Sequence, residues 1–112
     1  MAGKSDAVDA QGVFDRLAAA QLEAADVSMG RGLTNEVLKV KNKIFAFVND
    51  GRLVVKLPAA RCGALLADGV AVPFTSGGRT MREWVAVALP TGSDGDPAWR
   101  DLMDEAKAFV GR

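Results

Sequence analysis

An α+β domain, built as a two-layer α/β sandwich on a mainly antiparallel five-stranded sheet, is the fold class this sequence predicts. Three observations lead there. Stretches near both ends of the chain repeat their apolar residues at helical spacing. Between them lie short runs rich in Val, Ile and Phe, punctuated by Asn, Asp and Gly. Two of the gaps between those runs are so short that they call for hairpins, which join antiparallel neighbours.

The elements follow in order. From about Asp9 to Ala25, Phe14, Leu17, Ala18, Leu22 and Ala25 fall on one helical face, with Asp9 suited to the N-cap. Residues 1–8 read as a flexible lead and residues 9–112 as one domain. "DVSMGRGLTNE" reads as a loop with room for a short irregular strand. Three strands come next, "VLKVK", "KIFAFV" and "RLVVKL". Pro58 opens a short helix, placed in its first turn, and Gly69 stops it. "VAVPF" and "MREWVAVAL" are two further strands on either side of "TSGGRT", and Pro90 with "TGSDG" makes a loop. Asp96-Pro97 starts a last helix whose stripe is Trp99, Leu102, Met103, Ala106, Phe109 and Val110. The order is α-β-β-β-α-β-β-α.

Side chains alternate along a strand, so hairpin register assigns each residue to a face. A turn at Asn42-Lys43 and a three-residue loop at Asn49-Asp50-Gly51 put Leu38, Val40, Phe45, Phe47, Leu53, Val55 and Leu57 on one face. That face is wholly apolar and reads as the core. The other collects Lys39, Lys41, Ile44, Ala46, Val48, Arg52, Val54 and Lys56. Phe14, Leu17, Leu102, Met103 and Phe109 are expected to join the core from the helices.

Charge is divided along a chain whose formal net charge is zero. Residues 1–27 carry two cations and five anions (−3), residues 28–82 nine and three (+6), and residues 83–112 three and six (−3). Lysine on strand surfaces discourages edge pairing, and that plain reading accounts for the basic centre without a ligand. The sharper reading is a contact face for an anion. The sequence pI of about 6.2 weakens it for nucleic acid.

Composition narrows the chemistry. The chain has 112 residues, no His, no Tyr and a single cysteine, Cys62. The commonest metal ligand and the usual neutral-pH base are therefore missing, and Cys/His metal clusters are excluded. No metal or cofactor is expected, and Cys62 has no histidine to activate it. An enzyme working through carboxylates in a cleft is the remaining catalytic reading, and no constellation supports it. The acids in "MAGKSDAVDAQGVF" do not suit a signal peptide, no run is long enough to span a bilayer, and one thiol fits a reducing compartment. A cytoplasmic, non-enzymatic protein is the expectation.

The run "VLKVKNKIFAFVNDGRLVVKLP", followed by a short helix and "MREWVAV", resembles the TfoX N-terminal domain and the MmcQ/YjbR-like proteins. Lys43-Ile44-Phe45-Ala46, Leu53-Val54-Val55-Lys56 and Trp84-Val85 match its blocks over roughly residues 13 to 110. Where such domains carry "MFGG", this chain has "MGRG" at Met29 to Gly32. The resemblance implies a two-layer sandwich with an antiparallel sheet and, for function, an association with DNA.

Candidate contact residues are Lys39, Lys41, Arg52 and Lys56 on the basic face, with Arg82 and Trp84. If Val85, Val87 and Leu89 face the core, Trp84 stands outside with Arg82, Ala86 and Ala88; with the register reversed, it is buried. Gly77, Gly78 and Arg79 form a weak anion-loop candidate, lacking the lysine and helix of a phosphate-binding loop. Cys62, at helical spacing with Leu65 and Leu66, reads as a small core residue. DNA and a protein partner using Ile44, Val48 and Val54 are the two partner readings.

Overall fold

The computed structural model describes residues 2–31, 36–49, 51–88 and 95–112. Asp50, Leu89 and the expected loop from Pro90 onward lie outside the described residues, as does Gly32. Helix α1 (Ala2–Gln21) leads into strands β1 (Val27–Arg31), β2 (Glu36–Val40), β3 (Lys43–Asn49) and β4 (Arg52–Lys56). Helix α2 (Ala59–Ala67), strands β5 (Ala71–Ser76) and β6 (Arg79–Ala88) and helix α3 (Gly95–Val110) complete the chain.

Every strand pairing is antiparallel, in the order β1-β2-β3-β4-β6-β5. The α+β class holds, but the sheet has six strands rather than five. The additional one, β1, lies in the stretch expected as a loop with room for a short irregular strand; it pairs with β2 along its whole length, Val27 opposite Val40 and Arg31 opposite Glu36. Pairing with β2 satisfies the backbone groups on one side of this edge strand despite Gly30, which propensity alone counts against a strand. Pro73 is tolerated because β5 is an edge strand.

All three helices lie against one side of the sheet. Helix α1 buries Ala10, Val13, Phe14, Leu17, Ala18 and Gln21, which recur at the spacing of one helical face. Helix α3 buries Trp99, Leu102, Met103 and Ala106. Both cover β3 and β4, while α2 covers β5 and β6 and contributes Cys62 and Leu65 to the same core. The indole Nε1 of Trp99 donates to the carbonyl of Ala88 at 3.3 Å, so this fully buried ring leaves no unpaired N–H. At the end of α1, Gln21 Nε2 donates to Asp104 Oδ1 at 2.7 Å and ties the two long helices together.

Helix ends differ from expectation in instructive ways. Helix α1 begins at Ala2, so Asp9 lies within it, and it stops at Gln21, leaving Leu22 38% exposed. Pro58 is the N-cap of α2 rather than a residue of its first turn. At the other end, Gly69 (φ +75) sends its N–H to Leu66 and Val70 sends its own to Leu65. That is the paired bond pattern by which a left-handed glycine closes a helix. Helix α3 starts at Gly95 with Pro97 in its first turn, and Phe109, expected in the core, is half-buried with Arg112 over its ring.

Register is where the sequence reading needs most correction. The first hairpin turns at Lys41-Asn42, both at positive φ, because Val40 pairs with Lys43. In the second, Asn49 pairs with Arg52, leaving two residues between them instead of three. A bulge reconciles these tight turns with an apolar core. Leu38 pairs with Ala46 but Lys39 with Ile44, so Phe45 is an extra residue in β3. Alternation is broken there. Phe45, Ala46 and Val48 all join the helix-side core, and Phe47 moves to the opposite face. Ala46 and Val48 were expected outside and Phe47 inside; the bulge exchanges them. The remaining strand residues keep their expected sides, with Leu38, Val40, Leu53, Val55 and Leu57 buried under the helices.

The bulge makes a test. Phe45→Ala should cost about 3–5 kcal/mol as a fully buried ring is lost, whereas Phe47→Ala, on the uncovered face, should cost about 1–2 kcal/mol. Denaturant unfolding of the two variants checks this; equal losses would refute the shift of face.

Candidate binding face on the open side of the sheet

Opposite the helices, residues paired across strands share a face. Val37, Phe47, Val54 and Ala86 follow one another across β2, β3, β4 and β6. Lys56 pairs with Trp84 and Arg52 with Ala88 on the same side, and Val72 sits opposite Ala86. No helix packs on this face among the described residues. Yet Val54 is fully buried, Val37 is 4% exposed and Ala86 7%, and none of the three belongs to the main core. They lie beneath side chains of their own face.

Three rings do much of the covering. Phe47 and Phe74 meet edge to face with centroids 5.8 Å apart, Phe47 and Trp84 stand 5.7 Å apart, and Phe74 and Trp84 6.4 Å apart. These spacings are those of attractive aromatic pairs. The cluster reaches from β3 across to β5. All three rings are half-buried, so each keeps part of its surface toward solvent. Trp84 thus stands outside the core, on the side opposite Val85 and Val87, and is neither enclosed nor fully open.

Irregularity in β6 shapes the region beside Trp84. Between the pairs Pro73↔Val85 and Thr75↔Thr80, β5 supplies Phe74 alone while β6 supplies Met81, Arg82, Glu83 and Trp84. The longer path bows away from β5. Along it lies an open cleft of about 640 Å³ lined by Lys56, Ala59, Arg79, Thr80, Met81, Arg82, Glu83 and Trp84. Lys56 belongs to both features: its Nζ lies 6.0 Å from the Trp84 ring centroid, at the outer limit of a cation–π contact.

The expected site residues do not stay together. Lys39 remains on the open face, opposite Ile44, its stem lying over Gly30 so closely that a Cβ there would collide with it. Lys41 does not belong to that face. It sits in the turn and its Nζ donates to the carbonyl of Gly111 at 2.6 Å, a cation at the C-terminal end of α3. Arg52 and Lys56 are half-buried on the open face. Arg82 is exposed in the cleft wall. Gly77 (φ +60) and Gly78 (φ +80) form the two-residue turn between Ser76 and Arg79, a conformation that requires glycine-like freedom. Of that trio, Arg79 alone reaches the cleft. Val48 and Val54, expected as an exposed apolar strip, are buried, and only Ile44 of that set is exposed.

Phe47 and Phe74 were not legible as site residues, since plain alternation places Phe47 inside and "VAVPF" offers no partner for Phe74. Arg61, just beyond the basic strands in sequence, is engaged: Nε and Nη2 bond the two carboxylate oxygens of Glu105 at 2.9 and 3.1 Å, linking α2 to α3. That bond holds the guanidinium pKa above its ordinary value. Cys62 is buried, its Sγ 3.6 Å from the Leu57 carbonyl, and burial pushes its thiol pKa up. Among the described residues no group of three or more His, Cys, Asp or Glu could hold a metal ion, and no helix is long and apolar enough to cross a membrane.

Comparison of the chain with protein-family models, with curated proteins and with solved structures finds no match.

Two measurements check this geometry. Native Cys62 should react with a thiol reagent at least tenfold more slowly than the unfolded chain, because thiolate is scarce and shielded. Fluorescence should show two tryptophan populations, with the quencher-accessible one removed by Trp84→Phe and the shielded Trp99 left behind.

Proposed function

We propose that this chain is a small non-enzymatic binding domain that takes nucleic acid on the open face of its sheet. The carrying observation is the Phe47–Phe74–Trp84 cluster on a face no described helix covers, with Lys56 beside it and Lys39 farther along the same face, over Gly30. Aromatic rings next to cations suit a partner that offers both flat bases and phosphates. The resemblance to TfoX N-terminal and YjbR-like domains is part of the proposal, since DNA association points the same way. So is a cytoplasmic setting, in keeping with a single free thiol. A carboxylate-based enzyme has less support: Glu83 is the one acid among the residues lining the cleft.

A protein partner on the same face is the second reading, favoured by the exposure of Ile44 and Val72 (36% and 42%) at its margins. Salt separates the two. Nucleic acid held by Lys39 and Lys56 should bind with log K falling by about 0.9 per phosphate contact as log salt rises, for duplex DNA. Lys39→Gln with Lys56→Gln should weaken binding across sequences by about tenfold or more at low salt without lowering the melting temperature. A protein partner should instead tolerate salt and be lost on Val72→Glu. Titration with labelled DNA at two salt concentrations decides, and no binding at low salt would sink the nucleic-acid reading.

A further inference from the structure

The cleft beside Trp84 carries more than a general basic face. Of its lining, Lys56, Arg79 and Arg82 are cationic and Glu83 is anionic, a ratio of three to one in a chain with no net charge. None of the three cations makes an ion pair among the described residues, in contrast to Arg61 with its fork on Glu105. Strict alternation would send Arg79 and Arg82 to opposite faces of β6. The bow between Thr80 and Val85 instead brings both to one cleft, where Lys56 from β4 meets them. The volume of about 640 Å³ lies within the range of small-ligand sites.

Trp84 forms one wall and also one corner of the aromatic cluster. Cationic cleft and ring platform are therefore continuous, with Lys56 at their junction. We propose that the cleft is a phosphate subsite for single-stranded nucleic acid, in which a base lies against Trp84 and the adjoining phosphate is held by Lys56, Arg79 and Arg82. This rests on the nucleic-acid reading above and specifies the strand state. A stacked duplex keeps its base faces from an aromatic side chain, whereas an unpaired strand offers them. The alternation of a flat ring and a cationic recess matches the alternation of base and phosphate along one strand. A second copy of this chain is a poor occupant, because a two-fold contact would set this cationic cleft region against itself.

The test is titration of the full chain with an oligothymidylate of about eight nucleotides, and with a duplex of the same length, followed by tryptophan fluorescence. The single strand should bind more than tenfold tighter than the duplex and quench the accessible emission, which is absent in Trp84→Phe. Its log K should fall with log salt at a slope of about −0.7, as for the one phosphate neutralised in the cleft. Arg79→Gln with Arg82→Gln, both at exposed positions, should flatten that slope and weaken binding by about tenfold or more. Read by anisotropy of a labelled oligothymidylate, since the accessible emission is gone, Trp84→Ala should weaken binding by about tenfold while Trp84→Phe retains most affinity, with melting curves confirming that both variants are folded. Duplex bound as tightly as single strand, with the arginine pair without effect, overturns this subsite and leaves the basic-face reading standing. Failure of both nucleic acids at low salt overturns both.

Discussion

Phe45 is an extra residue in a strand whose neighbours have no place for it, and the organisation of both sheet faces follows from how it is accommodated. Its ring is fully buried beneath the helices. Keeping it there while Ala46 and Val48 also face the helices requires β3 to lose step with β2 once. Without that bulge, the two-residue turns on either side of β3 would be incompatible with a single apolar face. With it, Phe47 is released to the far side. There it meets Phe74 and Trp84 and covers Val54, so a second, thinner apolar layer forms outside the main core.

That second layer bears on why an uncovered sheet face is stable. Val37, Val54 and Ala86 would be costly to leave in water, and among the described residues no helix shields them. The half-buried rings of Phe47, Phe74 and Trp84 lie on that side instead. The same side chains that complete the fold on this side are thus the ones the open face presents to solvent.

Cations that look alike in sequence take separate roles in space. Arg61 braces α2 against α3, and Lys41 closes the end of α3. Both are anchored by the helical layer, which carries much of the chain's acidity. Lys56, Arg79 and Arg82 are gathered where β6 bows, with Glu83 the one acid among the residues lining their cleft. The division of charge along the chain foreshadows this arrangement but does not predict which cations stay unpaired. Pairing is decided by which acids lie within reach once the helices are docked, and linear distance says little about that: Arg61 and Glu105 are far apart in sequence.

By itself the sequence determined the class of fold, the order of its main helices and strands, and most of the core. Each of those rests on local periodicity and on apolar residues too numerous to leave in water. The stripe of α3, the helix-side set Leu53, Val55 and Leu57, and the outward stance of Arg52 and Lys56 were all legible in that way. Tertiary structure alone decided the remainder. Whether β1 is a strand depends on β2 offering it an edge, not on its own glycine-containing residues. Which face Phe47 occupies depends on a bulge, a one-residue choice that alternation cannot encode because either parity looks regular locally. The cleft is further still from the sequence, since it arises where four residues of β6 pass one residue of β5. That mismatch is a property of two paired strands together, and neither strand carries it alone.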